Sequence, residues 1–149
     1  MNAAAPNATT LFDISDKSAL VVGGTGTLGR AGALALAASG CRMTIADKGA
    51  ERLATVAGEL REAGGGAHDV ATIEAWPDSE ADAEAIIDAA VRAHGPLDLM
   101  FVALGWNDVA YIEDQPFDTW NKVMTANLDT YWLACQAAGR HFAHRPAGR

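Results

Sequence analysis

Ala19-Leu20-Val21-Val22 runs without a spacer into Gly23-Gly24-Thr25-Gly26-Thr27-Leu28-Gly29, and an Ala- and Leu-rich stretch, residues 27–39, follows at once. A short apolar run stopped by glycines reads as a strand buried on both faces. The stretch after it reads as a helix closed by Gly40 at its C′ position. Gly24, Gly26 and Gly29 spell G-x-G-x-x-G. Glycines at this spacing let the backbone approach a pyrophosphate. The helix that starts there offers unpaired N–H groups and a partial positive charge to the same anion. Glycine-rich turns end many buried strands, so the motif gains meaning only from a strand before it and a helix after it.

The remaining chain repeats the alternation. Residues 42–46 form a second strand, and 51–63 a second helix closed by Gly64-Gly65-Gly66. A weaker strand falls within 67–75. Residues 80–94 carry Ala83, Ile86, Ile87, Ala90 and Val91 at the spacing of one helix face, and Gly95-Pro96 ends that helix. Residues 97–104 are the most apolar strand. Residues 117–142 read as one long helix or two nearly continuous ones. Strands alternating with helices of this length imply parallel strands joined by right-handed crossovers. The expected architecture is α/β, a Rossmann-type doubly wound parallel sheet with about four strands present and the C-terminal part of that fold missing. Residues 1–11 are expected to be a flexible arm, and residues 12–149 a dinucleotide-binding domain.

Such a site also needs an acid at the end of the second strand, about 20 residues past the loop, to accept ribose hydroxyls. Asp47 stands there. An acid repels a 2′-phosphate, which favours NAD, while Lys48 and Arg30 close by leave NADP open. The alternative role for Asp47 is a helix N-cap before Gly49-Ala50-Glu51.

Composition removes other classes. With 11 Lys and Arg against 19 Asp and Glu, the net charge is −8, and no basic run exists to neutralise nucleic-acid or lipid phosphates. No segment has the roughly 18 uninterrupted apolar residues of a membrane span, and 1–10 lack the basic and apolar regions of a signal peptide. A soluble, cytoplasmic chain with no nucleic-acid and no membrane partner is expected. Cys41 and Cys135 show no CxxC spacing, and the four histidines form no ligand cluster, so no metal is expected. His141 and His144 lie near a helix end, where positive charge suits the dipole. Trp120, Tyr131 and Trp132 are expected to pack the last helix on the sheet. In the loop 105–116, Trp106 and Tyr111 are candidates for a substrate wall.

Residues 12–30, from Phe12-Asp13-Ile14-Ser15-Asp16-Lys17 through the glycine loop to Arg30, resemble the opening of the short-chain dehydrogenase/reductase family. The loop is closest to the TGxxGxxG variant, with Val22 in place of Thr. Gly95-Pro96-Leu97-Asp98 through Gly105 resembles the stretch that usually ends in NNAG. Trp120-Asn121-Lys122-Val123-Met124-Thr125-Ala126-Asn127-Leu128 resembles the helix whose Asn supports the proton relay. The resemblance implies a nicotinamide dinucleotide held by Gly23, Thr25, Gly26, Thr27, Leu28, Gly29, Asp47, Lys48, Asp78, Ala103 and Gly105, and Asn127 at the relay position. Asp78 takes the place of the acid that approaches adenine, or else caps the helix that follows.

The chain departs from the family pattern elsewhere too, and the Asp-Val usual after the third strand is matched by Asp78, since Asp69-Val70 falls too early. Val102 and Ala103 replace the NNAG asparagines, removing side-chain hydrogen bonds that help hold the sheet. The family's Ser and Tyr-x-x-x-Lys, which carry out hydride-transfer acid–base chemistry on an alcohol or ketone, are also missing. Four residues after Tyr111 comes Gln115, and four after Tyr131 comes Cys135. The reading is therefore an NAD(P)-dependent oxidoreductase represented by its cofactor-binding half. Its alternatives are a non-catalytic dinucleotide-binding module and an inactive remnant. Self-association through an apolar strand edge and a bare helix face is expected.

Overall fold

The computed structural model describes residues 11–66 and 69–144. Most of the N-terminal arm, the start of the 67–75 segment, His68 and the stretch 145–149 lie outside the described residues. The elements run β1 (Ser18–Val22), α1 (Thr27–Ala38), β2 (Arg42–Asp47), α2 (Ala50–Ala63), β3 (Val70–Glu74), α3 (Glu80–His94) and β4 (Leu99–Val102). Then come α4 (Phe117–Met124), a π-helical turn (Thr125–Asp129) and α5 (Thr130–Ala143). All strand pairs are parallel, in the order β3-β2-β1-β4. This is the Rossmann-type α/β arrangement expected from the alternation.

Alternation along the strands divides the core in two. Ala19, Val21, Met43 and Ile45 face α1 and α2, meeting Ala33, Ala37, Leu53, Val56, Ala57 and Leu60. Leu20, Val22 and Ala46 face the other way, toward Ala83, Ile86, Ile87 and Ala90 of α3 and Ala137 and Ala138 of α5. Every residue of β1 is buried, as its unbroken apolar run requires.

Four expectations are corrected. β4 covers four residues rather than 97–104. Its only ladder among the described residues is with β1, which turns away at Gly23, so Leu97 and Leu104 are buried outside the strand. Asp47 is not an N-cap, because β2 runs one residue further than read and Gly49 caps α2. Asp78 is not an N-cap either: Ser79 fills that position, its hydroxyl accepting from the Asp82 N–H at 3.2 Å. Trp120 and Trp132 do not pack on the sheet but are 51% and 66% exposed, whereas Tyr131 is partly buried and donates its hydroxyl to the Leu104 carbonyl at 2.8 Å. Of the three, Tyr131 packs against the core cluster that holds Leu20, Val22 and Leu104.

Among the described residues no helix is long and apolar enough to cross a membrane, and no group of three His, Cys, Asp or Glu could hold a metal ion. Cys41 is buried and Cys135 exposed. His141 Nε2 accepts the Leu97 N–H at 3.1 Å. This histidine thereby ties α5 to the approach to β4.

Candidate functional site

The site grows from the turn between β1 and α1. Gly23 leaves the strand with φ +84°, and a Cβ there would lie 2.5 Å from the Ala103 carbonyl oxygen. The Gly23 and Gly24 N–H groups donate to Ala46 O at 2.8 and 3.2 Å, fixing the loop to the end of β2. Gly26 caps α1 with no side-chain hydrogen bond, and the first turn of that helix carries no acid. Helix N–H groups at such an end have no intrahelical partner. A Cβ on Gly26 would meet nothing nearer than Gly23 O, at 3.5 Å, so this wall of the loop is open. A bare helix start beside an open backbone wall fits a diphosphate.

A cleft of about 740 Å³ lies over this wall, within the usual range for small-molecule sites. It opens at the carboxyl ends of the strands, beside the switch point between β1 and β4. Gly23, Thr25 and Gly26 line it after β1, Asp47 and Lys48 at the end of β2, Asp78 after β3, and Ala103 and Gly105 after β4. Thr27, Leu28 and Gly29 are not on its wall. Leu28 is 75% exposed, and Gly29 is buried against the underside of the loop.

The corner around Asp47 is dominated by hydrogen bonds within the protein. Asp47 Oδ2 accepts from the Thr25 N–H at 2.9 Å and the Thr25 hydroxyl at 2.6 Å, and Oδ1 accepts from the Lys48 N–H at 2.7 Å. The Lys48 ammonium stands 4.8 Å from the centre of the Trp76 ring and 3.6 Å from the Asp78 carboxylate. Arg30 is turned away from this corner. Its guanidinium makes two bonds to Glu59, at 2.6 and 2.8 Å, and that contact holds the Glu59 carboxyl below the usual carboxylate range.

Asn127 sits in the π-helical turn and does not line the cleft. Its Nδ2 donates to Trp106 O at 2.6 Å and Val123 O at 2.7 Å, and its Oδ1 accepts from the Trp106 N–H at 3.3 Å. The residue therefore anchors the start of the loop after β4. Trp106 borders the cleft, but Tyr111, 79% exposed, does not. The segment after β4 is held by the Ala103 N–H, which donates to Val22 O at 2.8 Å, and by the Tyr131 hydroxyl, which donates to Leu104 O at 2.8 Å.

Sequence reasoning missed several cleft residues: Arg52, Trp76, Asn121, Lys122, Thr125, Ala126 and Thr130. The spacing of Lys122, Thr125 and Ala126, i, i+3 and i+4, was a readable signal of one helix face turned to one place. Arg52 carried none. Its Nη2 donates to Lys48 O at 2.9 Å, and only the turn at Gly49 brings it round.

Comparison with known proteins agrees with this geometry. The family model described as short chain dehydrogenase matches residues 17–149. Uncharacterized oxidoreductase Rv1714 of Mycobacterium tuberculosis (strain ATCC 25618 / H37Rv) is 42% identical over 129 residues, which cover 87% of this chain and 46% of that protein. A short-chain type dehydrogenase/reductase from Mycobacterium marinum superposes with TM-score 0.82 at 26% identity, covering 88% of this chain and 52% of the other. An NAD+-bound xylitol dehydrogenase superposes with TM-score 0.74 at 27% identity, covering 86% and 48%. The chain spans about half the length of the curated relatives it matches.

Proposed function

Because the chain belongs to the short-chain dehydrogenase family, we propose that its cleft binds a nicotinamide dinucleotide and serves hydride transfer to or from an alcohol or ketone. The observation that carries this reading is the open Gly26 wall at the start of α1, facing a cleft that Asp47 also borders. In this reading the loop N–H groups take the diphosphate, Lys48 and Asp78 border the adenosine, and Ala103 and Gly105 border the ribose on the nicotinamide side. The bound dinucleotide would supply or accept the hydride. Asn127 acts by holding the Trp106 segment, and its place in a proton relay is part of the same proposal. NAD is the cofactor that an acid at position 47 favours. Residues 12–149 form the dinucleotide-binding domain.

A second reading rests on the sequence between Tyr111 and Cys135, where neither tyrosine is followed four residues later by lysine. In that reading the 149-residue chain holds a dinucleotide without turning it over. Calorimetric titration with NAD and NADP tests the binding that both readings share. We expect heat of binding from the wild-type chain and a loss of at least tenfold in affinity with Gly26→Val, whose side chain fills the open wall. A folded chain that takes up neither dinucleotide refutes both. Turnover with a panel of alcohols and ketones then separates the first reading from the second.

A further inference from the structure

The charge of the cleft runs against the charge of the chain. Three cations, Lys48, Arg52 and Lys122, line it with two acids, Asp47 and Asp78, although the whole chain carries −8. A concave wall of opposite sign draws anions. Two of the three cations already have partners beside β2. Lys48 pairs with Asp78 at 3.6 Å, and Arg52 donates to Lys48 O at 2.9 Å. Lys122, on α4, has neither an ion pair nor a hydrogen bond for its ammonium among the described residues. Asp118 stands four residues earlier, the spacing and order at which a helical ion pair forms most readily, yet none joins them. Nor does Lys122 serve a helix end. It lies in the last turn of α4, but the backbone stays helical through Thr125 and the π-helical turn into α5. The negative end of the helix dipole therefore does not fall there. Asn121, next to it, also lines the cleft, and its amide offers N–H donors. An unpaired cation beside an amide donor suits an oxyanion.

We propose that α4 brings a second anion-binding element to this cleft, in which Lys122, with Asn121 beside it, binds a phosphate or carboxylate group of a molecule held there. The inference rests on the dinucleotide reading, under which two sources offer such a group: the cofactor's diphosphate and an acid group on the alcohol or ketone substrate. The N–H groups of the glycine loop meet an anion as dipoles. Lys122 adds a full positive charge from the helix after β4.

The test uses calorimetric titrations of the 149-residue chain and of Lys122→Met, which keeps the side chain's length and helix propensity and removes its charge. Adenosine and ADP, which differ only by the diphosphate, form the first arm. Pyruvate and its methyl ester, titrated in saturating NAD, form the second. If the cofactor's diphosphate is the group, Lys122→Met weakens ADP about fivefold, the upper range for an exposed ion pair, and leaves adenosine within twofold. If the substrate's acid is the group, ADP is unmoved, pyruvate binds more tightly than its ester, and Lys122→Met removes that difference. Either result supports the inference and names the source. Lys122→Arg should keep the wild-type pattern, and added salt should shrink the effect of Lys122→Met. Urea unfolding of Lys122→Met should match the wild type, because the ammonium has no partner within the described chain. Weaker binding that comes only with lost stability marks a structural residue and overturns the inference. No dependence on Lys122 in either arm also overturns it and leaves the dinucleotide reading standing. A folded wild-type chain that binds neither ADP nor NAD overturns both.

Discussion

A Cβ built on Gly29 would lie 2.0 Å from the carbonyl oxygen of Gly23. The first turn of α1 therefore closes on the end of β1 with no room for a methyl group. Gly26, three residues earlier, has a φ of −72° and nothing within 3.5 Å of its Cβ position but the Gly23 carbonyl. Two glycines of one motif thus have separate duties, one inside the fold and one toward the cleft.

Gly29→Ala is accordingly expected to lower unfolding stability by about 3 kcal/mol, at the upper end of overpacking costs, since the obstacle is backbone rather than a movable side chain. Gly26→Ala is expected to stay within about 1 kcal/mol of wild type and to weaken dinucleotide binding instead. Urea unfolding followed by circular dichroism measures both, and equal destabilisation by the two would contradict the division of roles.

Arg30 and Glu59 join α1 to α2 at the surface. The hydrogen bond from Arg30 lowers the Glu59 pKa, so the folded state binds that proton less readily than the unfolded chain. The pair's contribution is therefore present above the ordinary carboxylate value and is lost as pH falls through the lowered one. Glu59→Gln should flatten that part of the acid limb of the stability profile. Arg30→Ala should leave affinity for either dinucleotide unchanged, and a selective loss of NADP binding would return Arg30 to the site.

Cys41 is buried, and desolvation, followed by the charge of Asp98, pushes its thiol pKa up. Its folded form stays protonated at pH values where an unfolded thiol ionises. The associated stability is present below the unfolded value of about 8.5 and is lost as pH rises through the raised one. Iodoacetamide at neutral pH should label Cys135 in the native chain and Cys41 only after denaturant is added. Labelling of Cys41 at the same rate in the folded chain would show that its burial is not maintained.

Asn127→Ala removes the side chain that bonds Trp106 on both its carbonyl and its N–H. The cost is expected to be about 1–2 kcal/mol, typical of lost hydrogen bonds at a partly solvated site. Hydrogen exchange should quicken at the Trp106 amide while β1 amides keep their protection. Uniform loss of protection would mean that Asn127 supports the whole fold rather than this loop.

Leu128 and Trp132, 55% and 66% exposed, stand four residues apart on one side of the last helical segment, with Phe142 further along. β4 has no strand on its outer side among the described residues. Apolar surface of this kind favours association of two copies. Sedimentation at micromolar concentration should report species larger than one chain, and Trp132→Glu should shift them toward the monomer. A wild-type chain that sediments only as a monomer refutes this.

The glycine loop, the four strands and the alternating helices were legible because each signal is local. Val21 and Val22 before Gly23, or Ile86 and Ile87 on one face of α3, declare themselves within a few residues. The extent of β4 was not, since it depends on how long β1 stays beside it. The caps at Gly49 and Ser79 were misread by one or two positions, because Asp, Ser and Gly compete for the same place at a helix start.

The sequence by itself determined the order of elements, the parallel sheet and the glycine spacing, all of which follow from hydrophobic periodicity and backbone sterics. Only the tertiary structure decided that Thr25 occupies Asp47, that Glu59 holds Arg30, and that Arg52 reaches the cleft mouth. Thr25 and Asp47 are 22 residues apart, and Arg30 and Glu59 are 29 apart. Thr25 and Asp47 meet because parallel pairing of β1 with β2 sets the ends of the two strands side by side, and Arg30 and Glu59 meet because α1 and α2 pack on the same face of the sheet. The hydrogen-bonding capacity left at such a corner depends on both turns at once, so neither stretch of sequence reveals it alone.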